Sequence, residues 1–319
     1  MAQVFTINES RTLLTTLVHE VWQAEGENTK SYFEDWINVK KLSTPVHIDY
    51  RMAGLSKWVE RAEKEDITYD DLTFGEAITT EPKNWGTGFS VSEEVIEDLA
   101  DAGPNEGINR AKLGGYADFV SRSRRTAIWT VDVECTDLLL NGTATSTEYV
   151  LRDSVAWFGT HTTLKNPTVS QSNLNTHASL SADTLRTMTT ALNLQLDDRG
   201  DYISRAGSNV LVVSESDAFR AYEILNTAGQ VDTANNNINA LKKNKYKVVE
   251  NPYLNVNAAS YAGYFLLREG AHSAEWFWRK KPEFAKQPDF DSVAMKFRGR
   301  FRGVRRVKDW RGAVGDNGS

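Results

Sequence analysis

The residues best able to hold a metal or to act as base or nucleophile are five histidines, His19, His47, His161, His177 and His272, and the single cysteine, Cys135. No histidine stands at metal-ligand spacing from another histidine or from Cys135, so no metal site is expected. A lone cysteine forms no intrachain disulfide and fits folding in a reducing cytosol. Ser154, His161 and neighbouring aspartates supply the letters of a catalytic triad, but no glycine-flanked nucleophile elbow frames the serine. Phosphate-binding and dinucleotide glycine fingerprints are absent. The carboxylate pairs Asp70-Asp71 and Asp197-Asp198 read as solvated turn residues, because acid and base roles need burial to separate their pKa values. The turn Asp197 to Asp201 lacks the ligand spacing and terminal Glu of a calcium loop. Its Arg199-Gly200-Asp201 reads as an acidic glycine turn and not as an adhesion tripeptide. The chain is therefore expected to be no enzyme and to need no cofactor.

Charge offers a different chemistry. Between Arg279 and Arg311 stand twelve basic residues and only four acids, a segment of +8 in a chain of net −6, which leaves −14 elsewhere. Such opposed charges mean internal pairing, pairing between copies, or a basic face toward nucleic acid. Lys296, Arg298, Arg300 and Arg302 alternate with Val293, Met295, Phe297 and Phe301, so a strand there carries one basic face and one apolar face. The mixture of Arg and Phe in Gly299-Arg300-Phe301-Arg302-Gly303 suits nucleic acid, yet the regular alternation favours a sheet face or a contact between subunits.

These residues must be placed by elements, and the chain of 319 residues holds two modest domains or one core with long appendages. Mean hydropathy is −0.48, and no apolar run reaches the ~20 residues that span a bilayer, so no membrane partner is expected. The start, Met1-Ala2-Gln3-Val4-Phe5, lacks a secretory pattern. Residues 1–42 carry helical stretches at Leu13-Leu14, Leu17-Val18 and Val21-Trp22, separated by Glu25-Gly26-Glu27-Asn28. This amphipathic arm must dock on the core or on a neighbour.

Residues 45–90 predict a β-rich excursion through Val46–Tyr50, Ile67-Thr68-Tyr69 and Phe89-Ser90-Val91, with the charged stretch 58–66 between them. A ribbon with so few apolar residues is marginal alone and needs a partner. Trp58 and Trp85 have little local core to join, which makes them candidate interface anchors. Residues 106–140 predict one long helix, interrupted at Gly114-Gly115, with Ile108, Ala111, Tyr116, Phe119, Val120, Ala127, Ile128, Val131 and Leu138 on its apolar positions.

From Leu151 to Leu267 the chain reads as a small α/β unit. Ser181 caps one helix, with Leu185, Met188 and Leu192 inward, and Ser214 caps a second, with Ala218, Ala221, Tyr222 and Leu225 inward. Val210–Val213 has the β-branching of a buried strand, and strands are also expected at Lys247–Glu250, Tyr261–Leu267 and Trp310–Val314.

Three stretches carry a family resemblance. Trp58-Val59-Glu60-Arg61 through Ile67-Thr68-Tyr69-Asp70, with Phe89-Ser90-Val91-Ser92-Glu93-Glu94, is similar to an extended loop returning to a peripheral domain. Leu180 to Leu225, with Val248-Val249-Glu250-Asn251-Pro252-Tyr253-Leu254, resembles an axial domain, and Asp309-Trp310-Arg311-Gly312 a closing strand. Together with the element order they resemble the major capsid proteins of tailed phages with the HK97-like fold. The resemblance implies an α+β chain with five parts. They are an arm (1–44), an extended loop (45–90), a peripheral domain with a spine helix (91–153), an axial domain (154–268), and closing strands of the peripheral domain with a tail (269–319).

The implied function is self-assembly into an icosahedral shell of pentamers and hexamers around double-stranded DNA. It is built in the host cytoplasm with a separate scaffolding protein and a portal. Trp58, Glu60, Arg61, Asp70, Asp71, Trp85, Arg122, Arg124 and Arg125 become expected intersubunit contacts. Lys296, Arg298, Arg300 and Arg302 become a DNA-facing or intersubunit face. A cellular nanocompartment shell of the same fold, and a DNA-binding protein using the basic segment, are the alternatives.

Overall fold

The computed structural model describes residues 7–55, 57–67, 69–102, 107–175, 178–203, 207–229, 238–243, 246–255, 263–289 and 294–316. Its helices are α1 (Ile7–Asn28), α2 (Glu93–Ala102), α3 (Gly107–Leu140), α4 (Ala182–Asn193) and α5 (Glu215–Asn226). The first seven strands are β1 (Asn38–Lys41), β2 (His47–Met52), β3 (Phe74–Thr80), β4 (Lys83–Ser92), β5 (Thr160–Thr162), β6 (Ser170–Ser172) and β7 (Leu174–Asn175). The others are β8 (Asn209–Val213), β9 (Tyr246–Glu250), β10 (Phe265–Arg268), β11 (Ala274–Asp289), β12 (Ala294–Val307) and β13 (Ala313–Asp316).

The alternating C-terminal segment forms the long antiparallel hairpin β11–β12. With β1 and β4 at its edges it makes a four-stranded sheet in the order β1-β11-β12-β4. One face is aromatic. Phe301 lies opposite Trp85 and Phe297 opposite Phe89, with ring centroids 5.0 and 4.9 Å apart. Stacked pairs of this kind add roughly 0.5–1.5 kcal/mol each beyond the area they bury. Helix α1 lays Leu14, Val18 and Trp22, spaced by four, against Val91, Ile96, Val120 and Phe297. The arm thus docks on its own chain, as one helix that runs through Gly26 to Asn28.

Helix α3 has 34 residues, about 51 Å at ~1.5 Å per residue. The interruption expected at Gly114-Gly115 is absent. Two glycines cost about 1 kcal/mol each, too little to break a helix whose later turns bury Val120, Val131, Cys135, Leu138 and Leu139. The side chains of Ile108 and Ala111, like His177, Thr68 and Val293, lie outside the described residues.

The second sheet runs β7-β13-β10-β8-β9, with every residue of β8 buried. Leu185, Met188 and Leu192 of α4 and Ala218, Ala221, Ile224 and Leu225 of α5 cover one face. Ser181 makes a full capping box with Thr184. Ser214 makes no cap bond; its hydroxyl meets Ser216 and Asp217 side chains instead. Tyr222 points outward and is 41% exposed, and Ile224 takes the inward place expected of it. The strand expected from Tyr261 starts at Phe265, with 256–262 outside the described residues. The last strand starts at Ala313, past the buried Trp310. It pairs with β10 and β7 and so belongs to the five-stranded sheet, not to the sheet of the β11–β12 hairpin. A single buried cluster, including Val131, Trp157, Phe158, Val212, Phe265, Trp276 and Phe301, joins both sheets to α3.

Candidate assembly surface

Strands β2 and β3 form a two-stranded ribbon whose apolar side faces out. Ile48 is 53%, Tyr50 56%, Met52 51% and Phe74 63% exposed. Beyond the strands, Leu55, Val59, Ile67, Tyr69 and Leu72 are also exposed, and Trp58 entirely so. Ile67 and Tyr69 lie in irregular chain, not in the strand expected there. Such a row exceeds the scattered apolar residues of an ordinary surface and marks an interaction site. Period two dictates the complement: Asp49 and Arg51 point to the body.

The body-facing side is held by ions. Arg51 Nη2 donates to Asp198 Oδ1 at 2.6 Å and to the Thr162 carbonyl at 2.6 Å, and Arg51 and Asp198 are both buried. Arg311 donates to the same carboxylate from the closing segment, at 3.0 Å, as does the Leu164 N–H at 3.1 Å. Arg152 donates to the Tyr50 carbonyl at 2.7 Å and pairs with Asp309 at 3.2 Å and Asp49 at 3.5 Å. Arg199 pairs with Asp70 at 2.5 Å and donates to the Gly54 carbonyl, and Lys57 meets Asp201 at 2.5 Å. Burial pushes the Asp198 carboxyl up. The hydrogen bond from Arg51 and the charges of Arg311 and Arg51 outweigh it, holding Asp198 below the ordinary carboxylate range. Asp198 is therefore no solvated turn residue; only Asp197 caps the turn, accepting from the Arg199 and Asp201 N–H groups.

The expected contact residues fall into three groups. Trp58, Glu60, Arg61 and Asp71 are exposed on the ribbon, and Asp70 is half-buried against Arg199. Trp85 does have a core to join: it stacks on Phe301 and Trp276, because β4 brings it into the aromatic face. On α3, Arg122 pairs with Asp118 at 2.8 Å. Arg124 lies over the Trp22 ring at 5.1 Å and Arg125 pairs with Glu25 at 3.0 Å, so these two fasten the arm. Burial lowers the Arg124 pKa from its usual value.

The basic row faces away from the aromatic side, with Lys296, Arg298 and Arg300 exposed and Arg302 half-buried. Lys296 pairs with Asp289 at 2.7 Å and Arg300 with Glu283 at 2.5 Å. Among the described residues no carboxylate pairs with Arg298 or Arg302. Across the register lie Ser90, Gly88, Gly86 and Asn84 of β4, a low shelf beside the cations.

His161, the histidine beside Ser154, has a structural setting. His161 is buried, its Nδ1 2.7 Å from Asp153 and its Nε2 3.3 Å from the Trp157 carbonyl, with its ring stacked on Trp310. Both nitrogens are occupied, so the imidazole pins a loop to the core. Ser154 lies nearby in a left-handed turn at φ 60°. Among the described residues no group of three His, Cys, Asp or Glu side chains could hold a metal.

An outward-facing apolar ribbon and a basic sheet face, carried on a body with a 34-residue helix, leave surface that suits a macromolecular partner. The phage capsid protein family model matches residues 75–315. The chain belongs to the phage capsid protein family. No curated protein matches the sequence.

Solved structures share the fold. The capsid of Ralstonia phage GP4 matches at TM-score 0.54 with 11% identity, covering 90% of each chain. The capsid of cyanophage P-SCSP1u matches at 0.53 with 10% identity, over 90% of this chain and 88% of that one. A virus-like particle from Pyrococcus furiosus matches at 0.51 with 8% identity, over 94% and 98%. The fold is thus the HK97-like one, and this phage capsid protein is a major capsid protein. Its role is structural: copies assemble into a shell that forms part of the virion.

Proposed function

We propose that this capsid protein builds the icosahedral head of a tailed phage from pentamers and hexamers, enclosing double-stranded DNA. Assembly takes place in the host cytoplasm with a separate scaffolding protein and a portal. The observation that carries the subunit contact is the ribbon's outward apolar row, Ile48, Tyr50, Met52 and Phe74, each more than half exposed among the described residues. The ribbon lies across a neighbour. Glu60, Glu63, Glu65, Asp66 and Asp71 supply acid, and the neighbour's Lys296, Arg298, Arg300 and Arg302 supply base. Different patches of one chain meet, a heterologous contact that closes into rings when the rotation closes. Many weak symmetric contacts then sum to a stable wall.

Deletion of residues 47–80, which leaves β4 and Trp85 in place, tests this reading. The two sheets retain their core, so the variant is expected to be folded by circular dichroism yet to form no closed particles by electron microscopy. Closed particles of normal size from the deletion variant overturn the ribbon's role. Nuclease-protected double-stranded DNA in native particles tests the cargo; particles filled with protein alone favour the nanocompartment reading.

A further inference from the structure

The ribbon is fastened to its own body chiefly through charge, and the fastening has a definite geometry. Its body-facing apolar contribution is small: Ala53, Ile78, Gly75 against Leu164, and the His47 ring 5.4 Å from that of Phe277. Its connectors, residues 42–46 and 81–82, are short and leave motion at the root as the remaining freedom. Three chain segments converge on one buried carboxylate, Asp198, which accepts from Arg51 of the ribbon, Arg311 of the closing segment and the Leu164 N–H. Around it, Arg152 holds the Tyr50 carbonyl and Arg199 holds Asp70 and the Gly54 carbonyl. We propose that the Arg51–Asp198–Arg311 cluster is a latch that sets the ribbon's direction in the free subunit, so that its apolar row is presented before a second copy arrives.

The physical case rests on what each side of the ribbon can do. An apolar row left free to rotate would fold back onto the body and leave water. Desolvated ion pairs of fixed geometry oppose that rotation, because turning the root strips Asp198 of its donors inside a buried site. Holding the ribbon in its bound direction lowers the ordering cost at association, which is how preorganisation raises affinity. The pairs are intrachain, so the latch acts in the unassembled subunit. Its effect on assembly, but not its existence, rests on the capsid reading of the ribbon.

Spin labels at Glu60→Cys and Thr190→Cys read the latch directly in unassembled subunits. Both positions are exposed, and native Cys135 is fully buried and unlabelled. Dipolar spectroscopy should give one narrow distance distribution in the wild type and a clearly broader one in Arg51→Met. Arg51→Met leaves Asp198 paired with Arg311, which protects the fold; Asp49→Asn serves as a second ribbon-side variant. Arg51→Met should also raise the critical concentration for particle formation about tenfold. Unchanged distributions in both variants overturn the latch. Broadened distributions with unchanged assembly overturn its preorganising role. A wild type that forms no particles even with scaffold defeats the proposed assembly role of the ribbon while the distances still judge the latch.

Discussion

Asp132 on α3 accepts the Tyr32 and Phe33 N–H groups at 2.9 and 2.8 Å, tying the arm's exit to the spine. Burial raises its carboxyl to about 6, against the pull of those two donors. The folded chain therefore binds more protons than the unfolded one between about 3.8 and about 6. Stability from this group rises as pH falls through that window, and its cost is full above it. Asp132→Asn keeps an acceptor oxygen for both N–H groups and removes the buried charge. It should stabilise the subunit by about 1–3 kcal/mol at pH 7.5 and change little at pH 4, measured by urea unfolding. An equal effect at both pH values defeats this account. His272 tilts the other way: burial pulls its ring down to about 4, so stability is lost as pH falls from 6.5 toward 4. Neither burial could be read locally. Asp198 makes the same point, since its partners Arg51 and Arg311 stand 147 and 113 residues away.

Elements were far more legible. The Ser181 cap, the β8 strand and the alternation of β12 follow from local spacing, and the structure holds all three. Ser181→Ala should cost about 1 kcal/mol, because the Thr184 N–H loses its acceptor; chemical denaturation measures it. What failed was set by context. Trp85 looked stranded because its partners Phe301 and Trp276 come from the far end of the chain. Tyr222 looked inward because helical spacing cannot distinguish it from Ile224, which the sheet selects. The glycine pair looked like a break, yet α3 passes through it. A Cβ added at Gly114 or Gly115 meets nothing within 4 Å. Gly114→Ala and Gly115→Ala should therefore each stabilise the helix by up to about 1 kcal/mol, read as a higher unfolding midpoint. A fall in midpoint would mean that the spine needs its flexibility there.

At the scale of the whole molecule, the sequence already separated a basic segment of +8 from an acidic remainder of −14, and the fold divides that segment: Lys296, Arg298 and Arg300 lie on one exposed face, while Arg305 and Arg311 are buried in internal ion pairs. Two uses of the face remain distinct in their consequences. A face that meets a neighbour's acidic ribbon contributes to the wall itself. A face turned to packaged DNA contributes only once a genome is present. Arg298→Glu combined with Arg302→Glu separates them, since neither residue pairs with a carboxylate among the described residues. If the face binds the ribbon, like charges meet across the contact and even empty particles should fail to close, with partial recovery at high salt because the repulsion is screened. If the face binds DNA, empty particles should form normally while packaged DNA falls. The ribbon's acids, unpaired with lysine or arginine at Glu60, Glu63, Asp66 and Asp71 among the described residues, favour the first outcome. Electron microscopy of empty particles made by the double variant, at low and high salt, decides between them.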